Sequence, residues 1–167
     1  MAIRVEFKKT GDWDVVENHI KNLDINLKSS ITWGERKVGE KLVKIVKNHI
    51  KNQDLDWDPL AESTLWKKKG NNNILRWTDT YLNSIKTWQI QGIRYVGVER
   101  GVTHPINGEE IAKIANIHEF RSYNGGPNRA LWMPSLDELG GKKGIRNIIM
   151  EVIYKKLKNL GYPITIK

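Results

Sequence analysis

His118 and Glu119 stand side by side in the segment NIHEFRSYNGGPNR, Asn116 to Arg129. An imidazole beside a carboxylate can be half of a metal site or of an acid–base pair. A zincin needs His-Glu-x-x-His, because two histidines four apart on a helix face one metal from one side. Here Ser122 and then Tyr123 stand where the second ligand would be, and His19, His49 and His104 belong to other elements. A metal site needs about three protein ligands. These residues therefore read as a histidine packed at a helix end, with Glu119 solvated or paired with a nearby arginine.

Other chemistry is sparse. There is no Gly-x-Ser-x-Gly elbow and no Ser-x-x-Lys motif with its usual companions. GNNN and NGG lack the Gly-x-x-x-x-Gly-Lys pattern of a phosphate loop. Asp54, Asp56 and Asp58 alternate on a short loop but sit in no EF-hand pattern, so they read as a polar turn. With no cysteine, disulfides and thiolate metal sites are excluded. Neither catalytic residues nor a cofactor are expected. The segment LWKKKGNNNILRWTD is different: Trp66 and Trp77 flank Lys67, Lys68, Lys69 and Arg76. Aromatics among cations grip single-stranded nucleic acid by stacking and charge. The same residues also suit a core tryptophan and a helix C-terminus, where cations complement the dipole.

The 167 residues suffice for one domain, expected to span 1–167. Hydrophobic residues at 39% and charged residues at 28% place the chain among globular proteins rather than disordered ones. No apolar run approaches the roughly 20 residues of a membrane span, and the first residues, MAIRVEFKKTGDWD, lack a signal-peptide core. The formal charge of +9 is spread along the chain, with no basic tail. That distribution weighs against a dedicated nucleic-acid binder without excluding one. Seven tryptophans favour a core or a protein interface, where a large flat side chain buries area at low entropic cost.

The elements that must position these residues follow from periodicity. AIRVEF alternates as a short strand, and TGDWDVVENHIKNL reads as a short helix with Trp13, Val16 and Ile20 on one face. A long helix is expected from about residue 30 to 52, with Val38, Leu42, Ile45 and His49 inward and a lysine-rich outer face. A loop through Pro59 leads to two short helices, one closed by Gly70 and one capped by Thr78. Residues 85–98 predict a strand pair about a Gln91-Gly92 turn. A loop, a helix over EEIAKIANIHEF and an extended RALWMPSL follow. A second long helix has Ile145, Ile148, Ile149, Val152, Ile153 and Leu157 inward and Gly161 as its cap, and YPITIK adds an edge strand. The expected fold is α+β: a small antiparallel sheet packed with two long helices and several short ones, around a loop-rich middle.

Residues 57–129 also carry motifs in a recognisable order. They are Trp57, Pro59, Leu60 and Thr64; Lys69 and Gly70; Leu75, Thr78, Leu82 and Ser84; Val96, Gly97 and Val98; Ala115, His118, Glu119 and Phe120; and Pro127 with Arg129. This order resembles the phage virion morphogenesis family, the tail-completion or neck proteins of the head–tail junction. Asp79 and Arg121 stand where that family usually has glycine. The resemblance implies a non-enzymatic structural protein of the virion, made in the host cytoplasm. It implies a homo-oligomeric ring, six-fold by analogy with tail symmetry, that joins tail terminator, tail tube or connector proteins and has genome DNA passing through its lumen. The assembly interface is expected to include Trp57, Lys67, Lys68, Lys69, Arg76, His118, Phe120, Arg121, Arg129 and Trp132. The alternative is a small basic nucleic-acid-binding protein that uses the Trp-flanked Lys67–Lys69 segment.

Overall fold

The computed structural model describes residues 11–120 and 129–162. The expected strands at 2–7 and 162–167, and Arg121, fall wholly or mostly outside that range. The elements run α1 (Trp13–Asn52), α2 (Glu62–Lys67), α3 (Thr80–Ser84), β1 (Ile85–Ile90), β2 (Ile93–Val98), α4 (Ile111–Phe120), α5 (Trp132–Glu138) and α6 (Gly141–Asn159). The class is α+β, as expected.

The first correction concerns α1. The short helix and the long one that the sequence suggested are a single helix of 40 residues, roughly 60 Å at 1.5 Å per residue. No proline or glycine interrupts residues 12–33, and the polar residues between the two apolar stretches are satisfied within the helix. Glu17 pairs with Lys21 at 3.0 Å and Asp24 with Lys28 at 2.7 Å, both one turn apart. Ser30 Oγ donates back to the Asn26 carbonyl at 2.6 Å. The helix ends at Gln53, which takes a left-handed conformation (φ 56°) and returns its N–H to the His49 carbonyl. The Gln53 side chain then accepts from the Ile74 N–H at 2.6 Å and donates to the Ile74 carbonyl at 3.1 Å. One amide thereby ties the end of α1 to the 71–76 loop.

α6 runs antiparallel to α1. His49 lies 3.1 Å from Glu138 just before α6, Gly34 meets Ile149, and Lys156 reaches Ser29 near the far end. Gly161 caps α6 as anticipated. Its N–H bonds the Lys158 carbonyl and the Tyr162 N–H bonds that of Leu157, the paired bonds of a Schellman motif.

β1 and β2 pair antiparallel, with Ile85 opposite Val98 and Ile90 opposite Ile93. Gln91 and Gly92 both have positive φ, as a two-residue type I′ turn requires. Trp88 stacks across the pair on Tyr95 with centroids 6.1 Å apart. The C-terminal half of α1 lies on this hairpin. The core is Val46 and Ile50 of α1, Tyr81 and Leu82 of α3, Ile85, Ile111 and Ala115 of α4, and Leu131.

Two local expectations are also corrected. The N-cap of α3 is Asp79 rather than Thr78, and Asp79 is left-handed (φ 54°). Its carboxylate is taken by Arg76 through two 2.9 Å bonds, so it does not cap. RALWMPSL is not extended, because α5 begins at Trp132. Pro134 fits there since first-turn N–H groups have no intrahelical partner.

Candidate functional site

Glu119 explains why α5 forms. Its carboxylate, at the end of α4, accepts from the backbone N–H groups of Leu131 (2.7 Å), Trp132 (3.1 Å) and Met133 (3.2 Å). A side chain twelve residues upstream thus supplies the cap that α5 lacks locally, and its negative charge suits the helix start. His118 carries the other half of the junction, its carbonyl accepting from the Arg129 N–H at 3.0 Å. The His-Glu pair is therefore a joint. Glu119→Ala should cost about 1–3 kcal/mol, the usual penalty for leaving such groups without a partner. Glu119→Gln, which keeps one acceptor oxygen, should cost less. Urea unfolding midpoints of the two variants check this order.

The joint closes one wall of a cavity of about 260 Å³. Thr64 approaches from α2, Leu60 and Lys68 from the residues on either side of it, and residues 74–79 with Tyr81 from the next loop and α3. Ile111, Ile114 and His118 come from α4, and Arg129 follows the joint. The expected loop at 99–110 is a tight turn that delivers the remaining wall. Thr103 bridges Glu110, and the His104 N–H bonds the Glu109 carbonyl at 2.7 Å. His104 Nδ1 accepts from the Ile106 N–H, so the proton of a neutral ring sits on Nε2 and is donated to Thr78 Oγ1 at 3.3 Å. Trp77 covers that ring at 5.0 Å.

The cavity is rich in cations. Lys68 and Arg129 are each only 7% exposed. Lys68 Nζ donates to the Asn73 carbonyl. Arg129 makes two long 3.4 Å contacts to the Asp58 and Pro59 carbonyls, and its buried Nε has no acceptor. Burial lowers the pKa of Lys68, and the Arg129 charge lowers it further. Burial likewise lowers that of Arg129, against a partial pull from Asp58. His118 is pushed down to about 4 by burial and by Arg129, so its ring is neutral at pH 7.

The residues singled out in the sequence thus divide three ways. Lys68, Arg76, His118 and Arg129 converge on the cavity. Trp57 and Trp132 pack against the core, Trp57 Nε1 donating to the Ala130 carbonyl at 3.0 Å. Lys67, Lys69 and Phe120 are on the surface, Phe120 being 70% exposed. The two tryptophans flanking the lysines do not act together: Trp66 is 83% exposed whereas Trp77 lines the cavity. His104 and Thr78 were not foreseen as partners, and a Thr-His-Pro tripeptide carries no local sign of one. Asp54 is bound to His49 at 2.6 Å, which holds its carboxyl below the ordinary range. Among the described residues no three His, Asp or Glu side chains gather as a metal-binding group.

A second feature lies on α1. Residues 11–25 are all exposed. Val16, Ile20, Leu23 and Leu27 recur at spacings of four, three and four, which puts them in one stripe of the helix. Ile20 is 63% exposed and Leu23 and Leu27 are little more than half-covered. Continued by three and four residues, the stripe reaches Ser30 and Gly34, which are buried where α6 lies against α1. Among the described residues no helix is long and apolar enough to cross a membrane.

No family model, curated protein or solved structure matches the chain.

Proposed function

We propose that the chain is a structural subunit of a phage virion, a tail-completion or neck component that assembles into a ring around the DNA channel at the head–tail junction. The observation that carries this reading is the exposed apolar stripe Val16–Leu27 on α1. A helical seam of this kind, left exposed among the described residues, marks a protein interface. A ring repeats one head-to-tail interface until rotation closes it, and a projecting helix is suited to reach the next subunit. The resemblance in motif order over residues 57–129 is the ground for naming the tail-completion family in this reading. The surplus of positive charge suits a lumen that passes DNA or a dock for acidic neighbours such as tail terminator, tail tube or connector proteins. In this reading the subunit turns nothing over, resides in the virion after synthesis in the host cytoplasm, and is six-fold in the assembled tail.

Light scattering on the purified chain, alone and then with isolated tails, tests the proposal. A closed ring, or stoichiometric capture of subunits by tails, is expected. A monomer that ignores tails but gains mass with DNA at low salt would favour the nucleic-acid reading instead, for which the exposed Trp66 beside Lys67 is the structural ground.

A further inference from the structure

We infer that the cavity between α2, α3 and α4 is a binding site for a small oxyanion, a carboxylate or phosphate group held by Lys68 and Arg129. Both cations are nine-tenths buried and line the same cavity. Among the described residues neither has a carboxylate within ion-pairing distance. The carboxylate in the lining, Asp79, is already engaged by both nitrogens of its bond pair with Arg76, so that pair is neutral as a unit. Asp58 acts on Arg129 only from farther off, and the contacts Arg129 does make are long and to carbonyls. His118 adds no positive charge at neutral pH.

Two like charges in one poorly solvated cavity repel each other, and each loses hydration. An oxyanion between them removes both penalties together. The guanidinium presents a planar fork suited to two oxygens, and its Nε is the donor still without an acceptor. The ammonium adds a point charge from the other wall. The volume of about 260 Å³ exceeds what one phosphate or carboxylate group fills, so the body of a ligand would lie against Leu60, Ile74 and Trp77.

The cavity supplies its own reporters. Of the four histidines, His104 and His118 line it, whereas His19 and His49 lie on α1. The full chain is titrated with inorganic phosphate at constant pH and ionic strength while the ring C–H signals of the histidines are followed by NMR. A second titration uses acetate. Saturable movement of two of the four signals is expected, and the anion that saturates at lower concentration identifies the preferred headgroup. Lys68→Gln should weaken that binding at least ~10-fold, as loss of a charge-assisted bond does. Lys67→Gln, its exposed neighbour, should not. Either no movement with both anions or equal drift of all four signals overturns the inference. So does equal weakening by the two lysine variants. If Lys68→Gln fails to fold, the wild-type titration still decides.

Discussion

On the proposal that the α1 stripe joins one subunit to the next, replacing both Ile20 and Leu23 by lysine is expected to reduce the assembly to monomers while leaving the subunit folded. The two side chains stand on the exposed stripe of α1, Ile20 63% and Leu23 38% exposed, and neither belongs to the core of the subunit. Surface changes of this kind usually shift stability by no more than about 0.5 kcal/mol each. At an interface the arithmetic reverses. Burying an isoleucine or leucine contributes about 1.5–3 kcal/mol, so losing two weakens association by roughly 3–6 kcal/mol, at least ~100-fold. Lysine adds a desolvation penalty of its own. The control is Ile25→Lys. Ile25 is 62% exposed but lies off the stripe, on the far side of the helix. That change replaces one exposed isoleucine by lysine, as half of the double variant does, and should leave the mass unchanged. Light scattering and urea unfolding on the three proteins separate the outcomes. If Ile25→Lys dissociates the assembly as thoroughly as the double variant, the stripe is not the contact. If the double variant keeps full mass, the assembly is built elsewhere.

The second large effect is expected at Gly34, where helix propensity and packing point in opposite directions. Glycine inside a helix is about 1 kcal/mol worse than alanine, so propensity alone says that Gly34→Ala stabilises. The structure says otherwise. A Cβ at residue 34 would sit 2.9 Å from Ile149 Cα and 3.1 Å from its Cγ2, so it meets the backbone of α6. Neither helix can yield without opening the α1–α6 contact along its length. Overpacking of this kind costs about 1–3 kcal/mol. Gly34→Ala should therefore be a net loss of up to about 2 kcal/mol, and Gly34→Leu, which forces more atoms against the α6 backbone, a larger one. Gly39 is a useful contrast. There the obstruction is the Thr87 hydroxyl at 2.5 Å, the end of a side chain that can rotate away at the loss of its 2.9 Å bond to the Tyr95 carbonyl. Gly39→Ala should be the milder change. A Gly34→Ala variant with a raised urea midpoint would show that the two helices are not in close contact there.

What was legible in the sequence was what depends on neighbours in the chain. The hairpin could be placed from Gln91-Gly92 because a two-residue turn dictates its own register. The end of α6 could be placed from Gly161 because a left-handed cap is a local demand. The outline of the mixed fold followed from such elements. The differences are of two kinds, side-chain pairs one turn apart that periodicity of apolar residues does not weigh, and contacts from far along the chain. The apolar pattern divides α1 because its front half has polar residues between the apolar ones, and their pairing with Lys21, Lys28 and the Asn26 carbonyl forms only within the helix. RALWMPSL carries no local helix start because the cap of α5 comes from Glu119 across the joint. The site divides in the same way. Basic and aromatic residues were visible as candidates, but nothing in Lys67-Lys68-Lys69 says that the middle lysine turns inward and its neighbours outward. That depends on the left-handed turn at Lys69 and on a carbonyl at Asn73.

The stripe on α1 has a built-in doorstop. The stripe is most exposed at Val16 and Ile20, more than half-covered at Leu23 and Leu27, and from Ser30 onward buried where α6 lies against α1, Lys156 reaching Ser29. A neighbouring helix seated in the open groove would therefore abut the end of α6 nose to tail, as though the two were one rod interrupted by a gap. It could not slide farther along without colliding with Lys156 and the turn at Gly161. Sliding the other way would strip it off the apolar stripe. In the proposed assembly, longitudinal position would thus be set by where α6 ends, and lengthening α6 by a turn would displace the neighbour by about 5.4 Å.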